Sequence, residues 1–337
     1  MTASDGRLPV ADPARHPAAQ RAPRPRPPVP PPAGRTDLPR YLRALTALAD
    51  RDDLAAAHTG CDLAVAAARE WRDPASFAAA HSLRCSVSRR RGDLAAAGRD
   101  GRAAADLLTA TGADRHGDAA VLLLGRRIAV LLDVGDVAAA DALMAGFGAD
   151  VPDAAGALPL RYLRGVLHAA AGRPGEGLAD LFACGERLAA LGTDSPAVLP
   201  WRSAAARVLA AAGTTEAAQR LVDAEVALAR RGGPPSALGR ALRLRGAVLS
   251  GPAALAALDE AVRVLAGTPR RFEYARALVD HGIALNTARR RPQARRVLRE
   301  GLDLAEECGS PALADSARAA HAAAGGKARP SPPTQAG

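Results

Sequence analysis

Lysine is almost missing from this 337-residue chain: the one copy is Lys327, so arginine carries nearly all of the basic charge in a formal balance of +10. That lysine lies in Gly325-Gly326-Lys327-Ala328. A phosphate-cradling loop needs glycine where His321 stands and Ser or Thr where Ala328 stands, so a P-loop is excluded. Aromatic residues make up only 3% of the chain, too few for a base-stacking surface, and no recognition helix, zinc finger or basic zipper is present. Direct sequence-specific DNA binding is therefore not expected. The four cysteines, Cys61, Cys85, Cys184 and Cys308, are far apart with no CxxC pair, the pattern of buried thiols in a reducing compartment. No secretion signal is present and no run approaches the ~18 apolar residues of a membrane span, so a cytoplasmic protein without a membrane partner is expected. There is no GxSxG elbow, no HExxH and no pair of carboxylates in an apolar window, so neither catalytic residues nor a cofactor are expected. Runs alternating Val, Ile and Thr are lacking too, which argues against a sheet.

What is present is a repeat. Arg51-Asp52-Asp53-Leu54-Ala55-Ala56-Ala57 returns as Arg91-Gly92-Asp93-Leu94-Ala95-Ala96-Ala97 and as Val134-Gly135-Asp136-Val137-Ala138-Ala139-Ala140. Weaker copies centre on Gly172, Gly213, Gly251 and Arg289, so the markers at 52, 92, 135, 172, 213, 251 and 289 are separated by 40, 43, 37, 41, 38 and 38 residues. A glycine that ends one helix, an Asp or Thr that caps the next, and an Ala-rich start define the tight turn of an antiparallel helix pair. Such pairs cannot bury their apolar stripe alone and must stack. The expected fold is all-α, a right-handed α-solenoid of about seven tetratricopeptide-like helix hairpins.

Residues 1–36 are rich in Pro, Arg and Ala and are expected to be a disordered segment. The repeat domain should occupy residues 37–324, with a disordered tail over 325–337. Leu38, Tyr41, Leu42, Leu45 and Leu48 share one face of the first helix and have the spacing to cover an apolar end of the stack.

Two sets of polar residues are candidates for a site. His58 and Cys61 are three apart and His81 and Cys85 four apart, so the two pairs could meet across a hairpin in numbers that suit zinc. Small residues filling an Ala-rich helix contact explain them more simply, and no metal site is assigned. The clusters Arg89-Arg90-Arg91, Arg230-Arg231 and Arg289-Arg290-Arg291 are read as helix C-terminal cations that complement the dipole. The second set is periodic. Eight residues before the markers stand Arg84, Arg127, Arg164, Ala205, Arg243 and His281; eleven before them stand His81, Leu124, Arg161, Arg202, Arg240 and Leu278. Positions three apart share a face and equivalent helices stack, so Arg84, Arg127, Arg161, Arg164, Arg202, Arg240, Arg243 and His281 should form a basic groove. Its partner would be an acidic protein segment or an anionic small-molecule inducer. An ordinary solvated face accounts for the same charges. Apolar Leu83, Val87, Leu123, Val130, Leu160, Leu163, Leu167, Trp201, Val208 and Leu242 supply the packing stripe between them.

The stretches Ala179–Leu188, Ser195–Ala205, Arg276–Gly282, Leu298–Gly309 and Leu313–Arg318 resemble, in order and wording, the helical-repeat region of the large ATP-binding LuxR-type transcriptional regulators of actinobacteria. The resemblance runs over about residues 156–325, half the chain, and is looser before that. In that family an ATPase module precedes the repeats and a helix-turn-helix follows them; neither is found here, and Arg289 stands where a turn glycine is usual, which implies a relaxed last hairpin. The resemblance implies the effector-sensing or partner-binding middle region of such a regulator. A general protein–protein interaction adaptor unrelated to transcription is the alternative, and the oligomeric state is left open.

Overall fold

The structure, a computed structural model, describes residues 29–148 and 155–326. The expected terminal segments lie mostly outside those residues, as does Lys327. Among the described residues there are fifteen α-helices and no strand. Seven hairpins follow one another: α1 (Leu38–Asp50) with α2 (Leu54–Glu70), α3 (Pro74–Arg91) with α4 (Leu94–Ala110), α5 (Asp118–Val134) with α6 (Val137–Phe147), α7 (Leu158–Ala170) with α8 (Pro174–Ala190), α9 (Trp201–Ala211) with α10 (Thr215–Arg231), α11 (Pro235–Val248) with α12 (Gly251–Ala266), and α13 (Arg271–Thr287) with α14 (Arg291–Cys308). A last helix, α15 (Pro311–Ala323), packs on α13 and α14. This is the α-solenoid that the repeat implied.

The turn chemistry explains most of the boundaries. Asp53, Asp93 and Asp136 accept hydrogen bonds from the backbone N–H of Ala56, Ala96 and Ala139 at 3.2, 2.8 and 2.9 Å. Gly92, Gly135, Gly172 and Gly213 take the left-handed conformation that ends the first helix of each pair. Two details differ from the sequence reading. Thr214 precedes α10 without a side-chain cap bond, and Gly251 opens α12 instead of ending α11. The last hairpin is not relaxed either: Arg289 has φ +61°, the conformation of the glycines it replaces. Its side chain is exposed. Arg289→Gly is therefore expected to raise stability by about 0.5–1 kcal/mol, measured by urea unfolding, because the left-handed well costs an L side chain about 1–2 kcal/mol and glycine's larger loss of backbone freedom gives back part of the gain. A loss of stability would show that the turn carries no such strain.

Within the hairpins, glycine sets the close approach. A Cβ on Gly282 would lie 2.4 Å from Leu298 Cγ, and one on Gly165 would lie 3.0 Å from Leu181 Cγ, so each second helix inserts a leucine where the first has no side chain. Leu181 and Leu298 are fully buried there. Of the expected packing stripe, Leu83, Val87, Leu123, Val130, Leu160, Leu167, Val208 and Leu242 are buried, while Leu163 and Trp201 are half-buried. On α1, Leu38, Tyr41 and Leu45 are buried against α2 and α3, with Leu42 and Leu48 packed at the edge.

The first helices of successive pairs, α3, α5, α7, α9, α11 and α13, each touch the next, and α13 returns to touch α3. The solenoid thus closes on itself. The turns of the early pairs are pressed against the late ones: Leu94 of α4 packs with Phe272 of α13 and Cys308 of α14. A Cβ on Gly135 would lie 2.2 Å from Ala312 Cβ on α15. Polar bonds fasten the same seam. Asp52, in the α1–α2 turn, accepts from Arg270 Nε at 2.8 Å and from Ser236 Oγ at 2.7 Å. Asp133, at the end of α5, accepts from Arg276 of α13 at 2.9 Å through its carboxylate and from Ser310 Oγ at 2.6 Å through its backbone carbonyl.

Candidate ligand-binding interior

The periodic cations do not form one free stripe. Arg84 donates to both oxygens of Asp100 at 3.0 and 2.8 Å and also to Asp62 at 3.0 Å. Arg164 repeats the arrangement with Asp180 at 2.7 and 2.6 Å. Both pairs are 16 residues apart and symmetric about their turn, so they are ties between the two helices of one hairpin. Arg202 holds Asp194 and lies over the Trp201 ring, its guanidinium carbon 4.4 Å from the centroid. Arg243 donates to Asp280 of the next first helix at 2.8 Å. Arg127 lines a cleft of about 430 Å³ between α4, α5 and α6 with Leu108, Leu124 and Phe147. His281 is half-buried on α13, its Nδ1 without a partner, and burial pulls its imidazole below the usual range. Arg161 is half-buried on α7. Arg240 donates to the carbonyl of Pro196, which leaves its buried Nε with no acceptor.

The four candidate zinc ligands do not converge. His81 Nδ1 is 2.8 Å from Asp100, His58 Nδ1 is 3.3 Å from Asp62, and no group of three or more ligating side chains is assembled among the described residues. Burial pushes the Cys61 and Cys85 thiols up to about 12 and about 11, away from the thiolate form that metals take. The Arg clusters divide as well. Arg89, Arg90, Arg230 and Arg231 end helices, but Arg290 and Arg291 sit at the start of α14 instead. Arg89 and Arg90 also bind carboxylates, Asp133 and Asp50, each at 2.7 Å.

The helices enclose a second charge constellation, which faces inward. Ser82 with Arg126 and Arg89 with Asp133 form two rungs between α3 and α5, each 44 residues apart and two helical turns from the other. Beside the second rung, where Arg276 also reaches Asp133, Glu273 of α13 is bound by Arg276 at 3.1 Å and approached by Arg243 at 3.5 Å. Burial alone would raise the Glu273 carboxyl, but Arg243, Arg276, Arg240 and Arg89 outweigh it and hold it down to about 2. Tyr162 of α7 feels Arg240, Glu225, Arg207 and Arg89 at once, and burial pushes its hydroxyl up to about 12. A group on α7 can be near α3, α9 and α11 together only from inside the ring.

Three guanidinia in this region have no carboxylate within 4 Å among the described residues: Arg126, bound to the Ser82 hydroxyl at 2.6 Å, Arg240 on its carbonyl, and Arg207. Burial pulls the Arg126 guanidinium down to about 10 and Arg207 below its ordinary range, the latter with help from Arg243 and Arg276. Such cations lack a close ion-pair partner, which favours an incoming anion. Helical spacing alone did not single out Arg126, Arg207 or Glu273, because it does not say which face of a first helix ends up inside a closed turn. The shared offset of 44, close to the repeat length, was the one usable signal.

No protein-family model matches the chain, and no curated protein matches it. Among solved structures it is similar to a Rap protein complexed with competence and sporulation factor, at 14% identity and a TM-score of 0.66, over 84% of this chain and 77% of that one. It is also similar to a tetratricopeptide repeat protein from Parabacteroides merdae, at 14% identity and a TM-score of 0.45, over 84% of this chain and 99% of that one. The Rap likeness supports the same fold, a tetratricopeptide-like helical-repeat solenoid. No helix among the described residues is long and apolar enough to cross a membrane.

Proposed function

We propose that this chain is a non-catalytic scaffold and sensor that takes a partner on its inner face, equivalent to the regulatory middle region of a LuxR-type transcriptional regulator. The observation that carries the reading is that Arg126, Arg207 and Arg240, each on a first helix, have no carboxylate within 4 Å among the described residues. Charges that only hold a fold together are normally paired, as Arg84 and Arg164 are. The Rap protein supports the same use of the architecture, since it is a solenoid of similar shape complexed with competence and sporulation factor. The order of the LuxR-like stretches between residues 179 and 318 supports the regulatory assignment. Affinity purification of the full chain from its native host, with mass spectrometry, tests it. A stoichiometric partner encoded beside a P-loop ATPase or a helix-turn-helix protein is the expected result. A partner from an unrelated system would replace the regulator with a general interaction adaptor, and a chain recovered alone at every salt concentration would overturn the scaffold.

A further inference from the structure

We propose that the interior of the ring binds an extended acidic peptide segment, whose carboxylates are taken by Arg126, Arg207 and Arg240. This rests on the scaffold reading and specifies its partner's chemistry. Arg207 is exposed on α9 and close enough to Arg243 of α11, Arg276 of α13 and Tyr162 of α7 to interact with them electrostatically. Arg240 gives one N–H to the Pro196 carbonyl, and its buried Nε has no acceptor. The three cations do not share one focus: Arg126 lies among α3 and α5 with Ser82 and Arg90 nearby, whereas Arg207 and Arg240 flank Tyr162. A compact phosphate would neutralise one of these regions, while a chain with several carboxylates spans them. Apolar side chains accompany them. Leu122 stands one turn before Arg126, and Ile283 stands on the Arg276–Asp280 face of α13; both are about 40% exposed. Residues 1–28 of this chain carry five arginines against two aspartates, so they lack the charge to be the occupant.

The probe is a fluorescein-labelled peptide of six Glu-Leu dipeptides, measured by anisotropy on the full chain against Gln-Leu and Lys-Leu versions of the same length. The acidic peptide is expected to bind at least tenfold tighter than the other two and to weaken with salt. Arg207→Gln with Arg240→Gln should raise its Kd tenfold or more while the circular dichroism and melting curve stay those of the parent. Arg127→Gln, outside the ring, should leave it within twofold. Equal binding of the three peptides, or a double variant within twofold of the parent, overturns the proposal. So does saturation by pyrophosphate alone at lower concentration than the peptide. A native partner whose capture survives the double variant would overturn the arginine assignment and leave the scaffold standing.

Discussion

Asp133→Ala is expected to lower the unfolding free energy by about 3 kcal/mol, near the low end of the usual cost of removing one partner from a buried ion pair. Asp133 is 8% exposed and accepts from Arg89 at 2.7 Å and Arg276 at 2.9 Å, so its loss strands the Arg89 guanidinium and leaves Arg276 with Glu273 alone, at the seam where α5 meets α3 and α13. The low end applies because those two side chains remain 30% and 27% exposed and can recover some water. Asp133→Asn keeps an acceptor but not the charge, and should cost an intermediate amount. Ser310→Ala removes one neutral hydrogen bond to the Asp133 carbonyl and should cost about 1 kcal/mol. Urea unfolding of the three variants gives the order. If Asp133→Ala changes stability by less than Ser310→Ala does, the closure of the solenoid depends on the apolar contact of Leu94, Phe272 and Cys308 instead of on this carboxylate.

That closure is the part of the architecture that the sequence left invisible. The hairpins were legible because their signals are local: an Asp cap, a left-handed glycine and an Ala-rich start act within a few residues of one another. Even Arg289, misread as a relaxed turn, announced a turn in the right place. Bonds such as Asp52 to Arg270 join positions 218 residues apart, and no periodicity reports them. The candidate site divides the same way. Arg84 and Arg164 make the same bond in their own hairpins, because equivalence follows from the repeat. Their pairing with Asp100 and Asp180 turned on which face meets the second helix, and the repeat leaves that angle free. Arg207 was passed over for the converse reason: it occupies no periodic position, and only the curvature of the stack brings it beside Arg243 and Arg276.

Acid should weaken the protein through Glu273. Its carboxyl is held at about 2 in the fold against an ordinary 4.5, so between those values the folded state binds fewer protons than the unfolded one. The stabilisation is complete above about pH 4.5 and is lost as the pH falls towards 2. At about 1.4 kcal/mol per pKa unit the Glu273 contribution is about 3 kcal/mol. Asp100 and Asp194 are also held below the carboxylate range: burial opposes this at Asp100, where His81 and Arg84 prevail, while the bond from Arg202 leads at Asp194. They titrate in the same direction, so the slope of the parent alone does not isolate Glu273. Glu225 acts with the opposite sign. Burial raises its carboxyl despite the bonds from Ser203, so its contribution is present below about pH 4.5 and is lost as the pH rises through its higher folded pKa. The informative quantity is the difference between the parent and Glu273→Gln, measured by urea unfolding from pH 2 to pH 7. It should be small at pH 2, where Glu273 is about half protonated in the fold and fully protonated in the unfolded chain, and reach its full value by about pH 5. A pH-independent difference would mean that Glu273 stabilises the ring by packing and neutral hydrogen bonds, and that the guanidinia of Arg243 and Arg276 are satisfied without its charge.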